Sequence, residues 1–122
     1  MSRIASMAAI AAALSLGGSP AAFAHAYLDH ASPAVGSTVH GSPGEVRIWY
    51  SEELEPAFST VKVLDQSGAQ VDKGDKQLDG SDKTVLKVSL KPLPAGTYQV
   101  IWRVLSVDSH VTEGKFKFTV AP

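Results

Sequence analysis

The chain has 122 residues, with 11 basic against 12 acidic side chains and a formal net charge of −1. That balance leaves neither the basic footprint of a nucleic-acid binder nor a polybasic membrane anchor, and the length suits one domain rather than two. Because there is no cysteine, disulfides, thiolate metal sites and cysteine nucleophiles are all excluded.

The first element reads as an export signal. Arg3 supplies the positive charge, a largely apolar run follows over residues 4–16, and Gly17-Gly18-Ser19-Pro20 leads to Ala22-Phe23-Ala24, a small-x-small cleavage site. The run falls short of the roughly 20 residues that a membrane-spanning helix needs, and no later segment comes closer. Residues 1–24 are therefore expected to be removed, leaving a soluble, exported domain of residues 25–122 that starts at His25. Both methionines, Met1 and Met7, lie in the removed segment, so the mature domain offers no thioether to a soft ion such as Cu(I).

Residues 26–31 read as a first extended piece, followed by turns at Ser32-Pro33-Ala34-Val35-Gly36 and Gly41-Ser42-Pro43-Gly44. Residues 45–51 alternate, with Val46, Ile48 and Tyr50 on one face and Arg47 and Trp49 on the other. A strand is predicted over residues 58–64, ended by Asp65-Gln66-Ser67-Gly68, with residues 69–71 as a short return. Residues 72–83 are charged and poor in apolar side chains, as a solvated loop is. Asp75, Asp79 and Asp82 in that loop lack the alternation and the closing glutamate of a calcium-binding EF-hand.

Strand character resumes over residues 84–90, where Leu86, Val88 and Leu90 share a face. Residues 97–107 form the longest such run, and Tyr98, Val100, Trp102 and Val104 mark it as a central strand. Residues 113–120 close the chain with Phe116, Phe118 and Val120 alternating against Lys115, Lys117 and Thr119. Leading into the longest run, Leu93-Pro94-Ala95-Gly96-Thr97-Tyr98 fits a tyrosine corner. Tyr98, Trp102 and the phenylalanines are assigned to the core, while Trp49 is left as either a partner contact or a plug for the barrel end. About seven short strands separated by turn signals predict an all-β domain, an immunoglobulin-like sandwich or a small Greek-key barrel.

The chemistry concentrates at two places. Asp108 and His110, two apart after the long strand, project the same way if the backbone there stays extended. Cleavage after Ala24 would give His25 an α-amine beside its imidazole, two nitrogens able to chelate one ion. Together these are three nitrogens and one oxygen, a donor set that suits tetragonal Cu(II) better than Cu(I), calcium or magnesium. Taken alone, Asp108 and His110 read better as a turn cap and a surface or satisfied core histidine; the expected terminal His25 is what shifts the weight to a metal site. His30 and His40, in or beside turns, read as ordinary solvent-exposed histidines.

In its ordered motifs the chain resembles the CopC family of periplasmic copper-binding proteins associated with copper resistance. The resemblance runs from His25-Ala26-Tyr27-Leu28 through Val46-Arg47-Ile48-Trp49-Tyr50-Ser51-Glu52, Leu93-Pro94-Ala95-Gly96-Thr97-Tyr98 and Trp102-Arg103-Val104. It continues with Ser106-Val107-Asp108-Ser109-His110 and ends with Gly114-Lys115-Phe116-Lys117-Phe118-Thr119-Val120. It implies a seven-stranded cupredoxin-like Greek-key barrel. It also implies one Cu(II) ion per chain, held by the His25 amine and imidazole, Asp108 and His110. Glu52 occupies the acidic position whose family counterpart orients a ligand or bound water without binding directly. The chain departs from two-site members in having no methionine-rich loop, and it has Tyr27 where many relatives place a further histidine, so it resembles a Cu(II)-only member.

The expected function is a periplasmic, non-enzymatic Cu(II) carrier or buffer in copper homeostasis, whose partner the resemblance suggests is a CopD-like inner-membrane protein. Two alternatives stand beside it: a histidine-brace copper monooxygenase, against which the anionic Asp108 counts, and a metal-free immunoglobulin-like interaction module.

Overall fold

Every second side chain of the longer strands is apolar, and burying those faces against one another produces two stacked sheets. The structure, a computed structural model, describes residues 26–122; residues 1–24, expected to be an export signal, and His25 lie outside the described residues. The strands are β1 (Leu28–Ser32), β2 (Thr38–His40), β3 (Glu45–Tyr50), β4 (Thr60–Leu64), β5 (Gln77–Asp79), β6 (Asp82–Ser89), β7 (Gly96–Leu105) and β8 (Val111–Ala121), with a 3-10 turn at Pro56–Phe58. One sheet has the order β1-β3-β6-β5 and the other β2-β8-β7-β4. The chain crosses between them after each of β1, β2, β3 and β4 and again after β6, the long-range connectivity of a Greek-key sandwich. The all-β expectation stands.

The core lies between the sheets. Val46, Ile48 and Tyr50 of β3 and Leu86 and Val88 of β6 face Val61 and Val63 of β4, Tyr98, Val100, Trp102 and Val104 of β7, and Phe116, Phe118 and Val120 of β8. Each such side chain contributes about 1.5–3 kcal/mol on leaving water, which is how a domain without disulfides holds together. The tyrosine corner is present: the Tyr98 hydroxyl donates to the Pro94 carbonyl at 2.5 Å.

Three local expectations are corrected. Residues 72–83 are not simply a solvated loop, because β5 and the start of β6 lie within them and Asp72 is buried. The Asp72 carboxylate accepts from the Val63 amide at 2.7 Å, Gln70 Nε2 at 2.9 Å and the Gly74 amide at 3.0 Å, closing the exposed edge of β4. Residues 69–71 do fold back on β4, but as a single antiparallel bridge of Gln70 to Leu64 rather than a full strand, and β2, which no alternation announces, pairs in parallel with β8. Phe58 is not core: Pro56 starts a 3-10 turn that carries its ring into solvent, and β4 begins only at Thr60.

Candidate metal centre

Asp108 and His110 are brought together by a tight turn, not by extended strand. Strand β7 ends at Leu105, and Ser109 takes a φ of 73°, the left-handed region, so the chain reverses within a few residues and re-enters β8 at Val111. The turn is closed by backbone bonds from the Ser106 amide to the His110 carbonyl, 2.9 Å, and from the Ser109 amide to the Ser106 carbonyl, 2.9 Å. The buried Ser106 hydroxyl donates to Asp108 Oδ1 and accepts from the His110 amide at 3.3 Å. Sequence reasoning assigned Ser106 no role. Its signal was the spacing Ser106-x-Asp108, in which a hydroxyl meets a carboxylate two residues on.

The result is a carboxylate and an imidazole with Asp108 Oδ1 and His110 Nδ1 only 3.2 Å apart, both partly exposed to solvent. The Ser106 hydroxyl holds the Asp108 carboxyl below the usual carboxylate range, aided by the hydrogen bond and charge of His110 and opposed by a weaker desolvation. Asp108 is thus an anionic oxygen donor at neutral pH. Two donors about 2 Å from one ion and at right angles are about 2.8 Å apart, so a separation of 3.2 Å suits adjacent ligands of a tetragonal centre.

The first described residues are held at the same place. The Thr112 hydroxyl donates to the Ala26 carbonyl at 2.5 Å, and Ala26 is buried. The Tyr27 amide donates to Ser51 Oγ at 2.9 Å while the Ser51 amide donates to the Tyr27 carbonyl at 2.9 Å. The residue that follows His25 is therefore fixed two positions from His110 along β8's entry. His25 itself lies outside the described residues, and among the described residues no three His, Asp or Glu side chains converge on one point.

Glu52 belongs to the segment that flanks the turn. Leu54 bridges Ser106, the Val107 amide donates to the Glu53 carbonyl at 3.0 Å, and the Glu55 amide donates to the Leu105 carbonyl at 2.8 Å. The Glu52 side chain is half-buried there.

The other histidines sit elsewhere. His40 ends β2 beside Ala121 and is exposed. His30, in β1, places Nδ1 2.7 Å from Asp29 Oδ2 and stacks on Trp49 with ring centroids 4.3 Å apart. Trp49 therefore fills no barrel end: it lies on the outer face of its sheet between His30 and the Arg47 guanidinium, 5.9 Å from the indole centroid. Asp75, Asp79 and Asp82 serve as turn and strand caps or ion partners, toward Ser89, toward Ser81 with Arg47 and Lys87, and toward Thr84 respectively. An open cleft of about 440 Å³ on the outer face of β4, β7 and β8 carries Lys62, Arg103 and Lys115 around Ile101 and contains no imidazole.

A CopC domain model matches residues 28–121. The crystal structure of CopC from Methylosinus trichosporium OB3b superposes with a TM-score of 0.75 and 37% identity, covering 80% of this chain and 95% of that one. PcoC from Escherichia coli, described as a methionine-rich copper resistance protein, gives a TM-score of 0.67 and 33% identity over 80% of this chain and 99% of PcoC. The copper transport protein CutJ of Bacillus subtilis (strain 168) is 31% identical over 99 residues, 80% of this chain but only 18% of CutJ.

Proposed function

The chain belongs to the CopC family, and on that premise we propose that it is a periplasmic protein that binds one Cu(II) ion and sequesters or carries it. The observation that carries this reading is the pairing of Asp108 Oδ1 with His110 Nδ1 at 3.2 Å in a turn beside the anchored Ala26. Cleavage after Ala24 would expose His25, whose amine and imidazole would join that pair to give three nitrogens and one oxygen. Glu52, on the segment packed along the turn, would orient a ligand or water without binding the ion. Copper resistance and copper transport in the names of PcoC and CutJ support copper as the cargo.

The chain's own residues explain how the ion would be taken up. Without metal, the Asp108 carboxylate can accept a proton-bearing Nδ1 of His110, so the pair is already held at ligand spacing. An ion taken at Nδ1 would leave the ring proton on Nε2, whereas the protonated His25 amine would have to give up its proton, so uptake would release a proton from the amine. The turn and the Thr112 bond preorganise the donors, and the anionic oxygen favours Cu(II) over Cu(I). That preference favours a binding protein over a histidine-brace enzyme, which needs the reduced ion.

No helix among the described residues is long and apolar enough to cross a membrane. The partner this reading expects is a CopD-like inner-membrane protein; the segment matched in the copper transport protein CutJ is 18% of that protein. The test is titration of His25-initiated protein with Cu(II), with electron paramagnetic resonance counting nitrogens, beside chelator competition for Cu(I). The reading predicts one tight Cu(II) ion with three nitrogens and weak Cu(I) binding. Cu(I) held as tightly as Cu(II), or no coordinated nitrogen, would sink it.

A further inference from the structure

Among the described residues five large apolar side chains stand in solvent, and four of them lie around the Asp108–His110 turn. Val107 and Val111 flank the pair directly, each 50% exposed. Tyr27, 59% exposed, is bound through its backbone to Ser51, beside the anchored Ala26. Phe58, 69% exposed, is held beside the end of β7: its amide donates to the Glu55 carbonyl, and the following Ser59 hydroxyl accepts from the Leu105 amide at 3.1 Å. Only Val35 lies apart, in the turn after β1. Leaving four such groups in water around one functional turn forgoes burial that the rest of the chain uses fully, which is the mark of a surface meant to be covered.

Charge selects the occupant. Glu52, Glu53 and Glu55 lie between Tyr27's anchor and Phe58, and Asp108 adds a fourth carboxylate. Of the cations at this end, Lys76 donates to the Pro56 carbonyl and Arg103 lies 3.7 Å from Glu113, which leaves Lys83. A second copy of the chain would bring like charges together, and an anionic bilayer would meet the same repulsion. We propose that this end of the sandwich docks a partner protein that presents an apolar centre within a basic rim, so that the partner closes directly over the metal ligands. The proposal rests on the copper-binding reading for its purpose but not for its measurement, which uses copper-free protein.

The probe is a short peptide alternating lysine and leucine, with a glutamate–leucine peptide as its counterpart, titrated into isotope-labelled His25-initiated protein at low salt. Amide shifts should move at Tyr27, at residues 51–58 and at residues 105–111 with the basic peptide, and the acidic peptide should leave them in place. Combined Glu53→Lys and Glu55→Lys should weaken binding about tenfold, and Phe58→Ser about fivefold. Both variants should keep parent Cu(II) affinity, since neither removes a proposed ligand, so a lost docking face is distinguished from a lost metal site. Equal binding of the acidic peptide, shifts centred elsewhere or unchanged binding by the variants would overturn the proposal. So would matching shifts produced by phosphatidylglycerol-containing vesicles, or by raising protein concentration alone, which would reassign the face to a bilayer or to a second copy.

Discussion

The Thr112 hydroxyl reaches across 86 positions of sequence to the Ala26 carbonyl, fixing the residue after His25 beside the turn that carries Asp108 and His110. A single side chain thus couples the first described residue to the last strand. Thr112→Val keeps the shape and removes the donor, so it should cost about 1 kcal/mol of stability. Copper binding would then have to order the terminus itself, lowering Cu(II) affinity by up to about fivefold. Thermal melts and chelator competition measure both; an affinity unchanged alongside a lowered melting temperature would mean the tie serves the fold alone.

Asp108→Ala and His110→Ala should each weaken Cu(II) binding by more than the roughly 10–100-fold that loss of an outer partner costs. Neither is in the core, so melting temperatures should stay near the parent's. His30→Ala and His40→Ala, on β1 and β2, should leave affinity alone. If all four variants bind like the parent, the donor assignment is wrong.

Ser109 is the non-glycine residue with positive φ among the described residues. Glycine there exchanges strain for backbone entropy, so Ser109→Gly should change stability by less than about 0.5 kcal/mol and keep Cu(II) affinity. Ser109→Val adds a branched side chain where left-handed backbone rejects it, costing about 1–2 kcal/mol, and should loosen the Asp108–His110 spacing. Equal Cu(II) affinity in the two variants would show that the turn does not set the ligand geometry.

Acid should release copper before it protonates Asp108. That carboxyl is held below its usual range, chiefly by Ser106, so its favourable contribution is complete above the ordinary carboxylate value and is lost only as pH falls through the depressed one. Release in an acid titration should therefore come at higher pH than protonation of Asp108, with the circular dichroism of the sheets unchanged. Release only below about pH 4 would assign the controlling proton to a carboxylate instead.

Much of the sandwich is legible in the sequence because burial imposes a period of two. Tyr98, Val100, Trp102 and Val104, like Phe116, Phe118 and Val120, face the core as their alternation requires. The corner at Tyr98 follows from local chemistry alone. What stays hidden depends on distant partners. Thr38–His40 is a strand because β8 runs alongside, and Asp72 is buried because the Val63 amide, nine residues back, needs an acceptor. Trp49 is settled by its cross-strand neighbour His30, which no pattern along β3 reveals. At the site, Asp108-x-His110 was visible as a pair, yet the reason the two side chains meet is the reversal at Ser109 and the hydroxyl of Ser106.

The central claim is that the amino terminus of the processed chain completes the copper site. The direct measurement compares Cu(II) affinity and nitrogen hyperfine structure of protein that begins at His25 with protein carrying one extra residue before it, each verified by mass spectrometry. The account predicts that the extended protein folds with the same melting temperature, shows one nitrogen fewer and binds Cu(II) more weakly by over about a hundredfold, since a ligand rather than its support is lost. Equal affinities with identical nitrogen hyperfine patterns would remove His25's amine from the site and contradict the account.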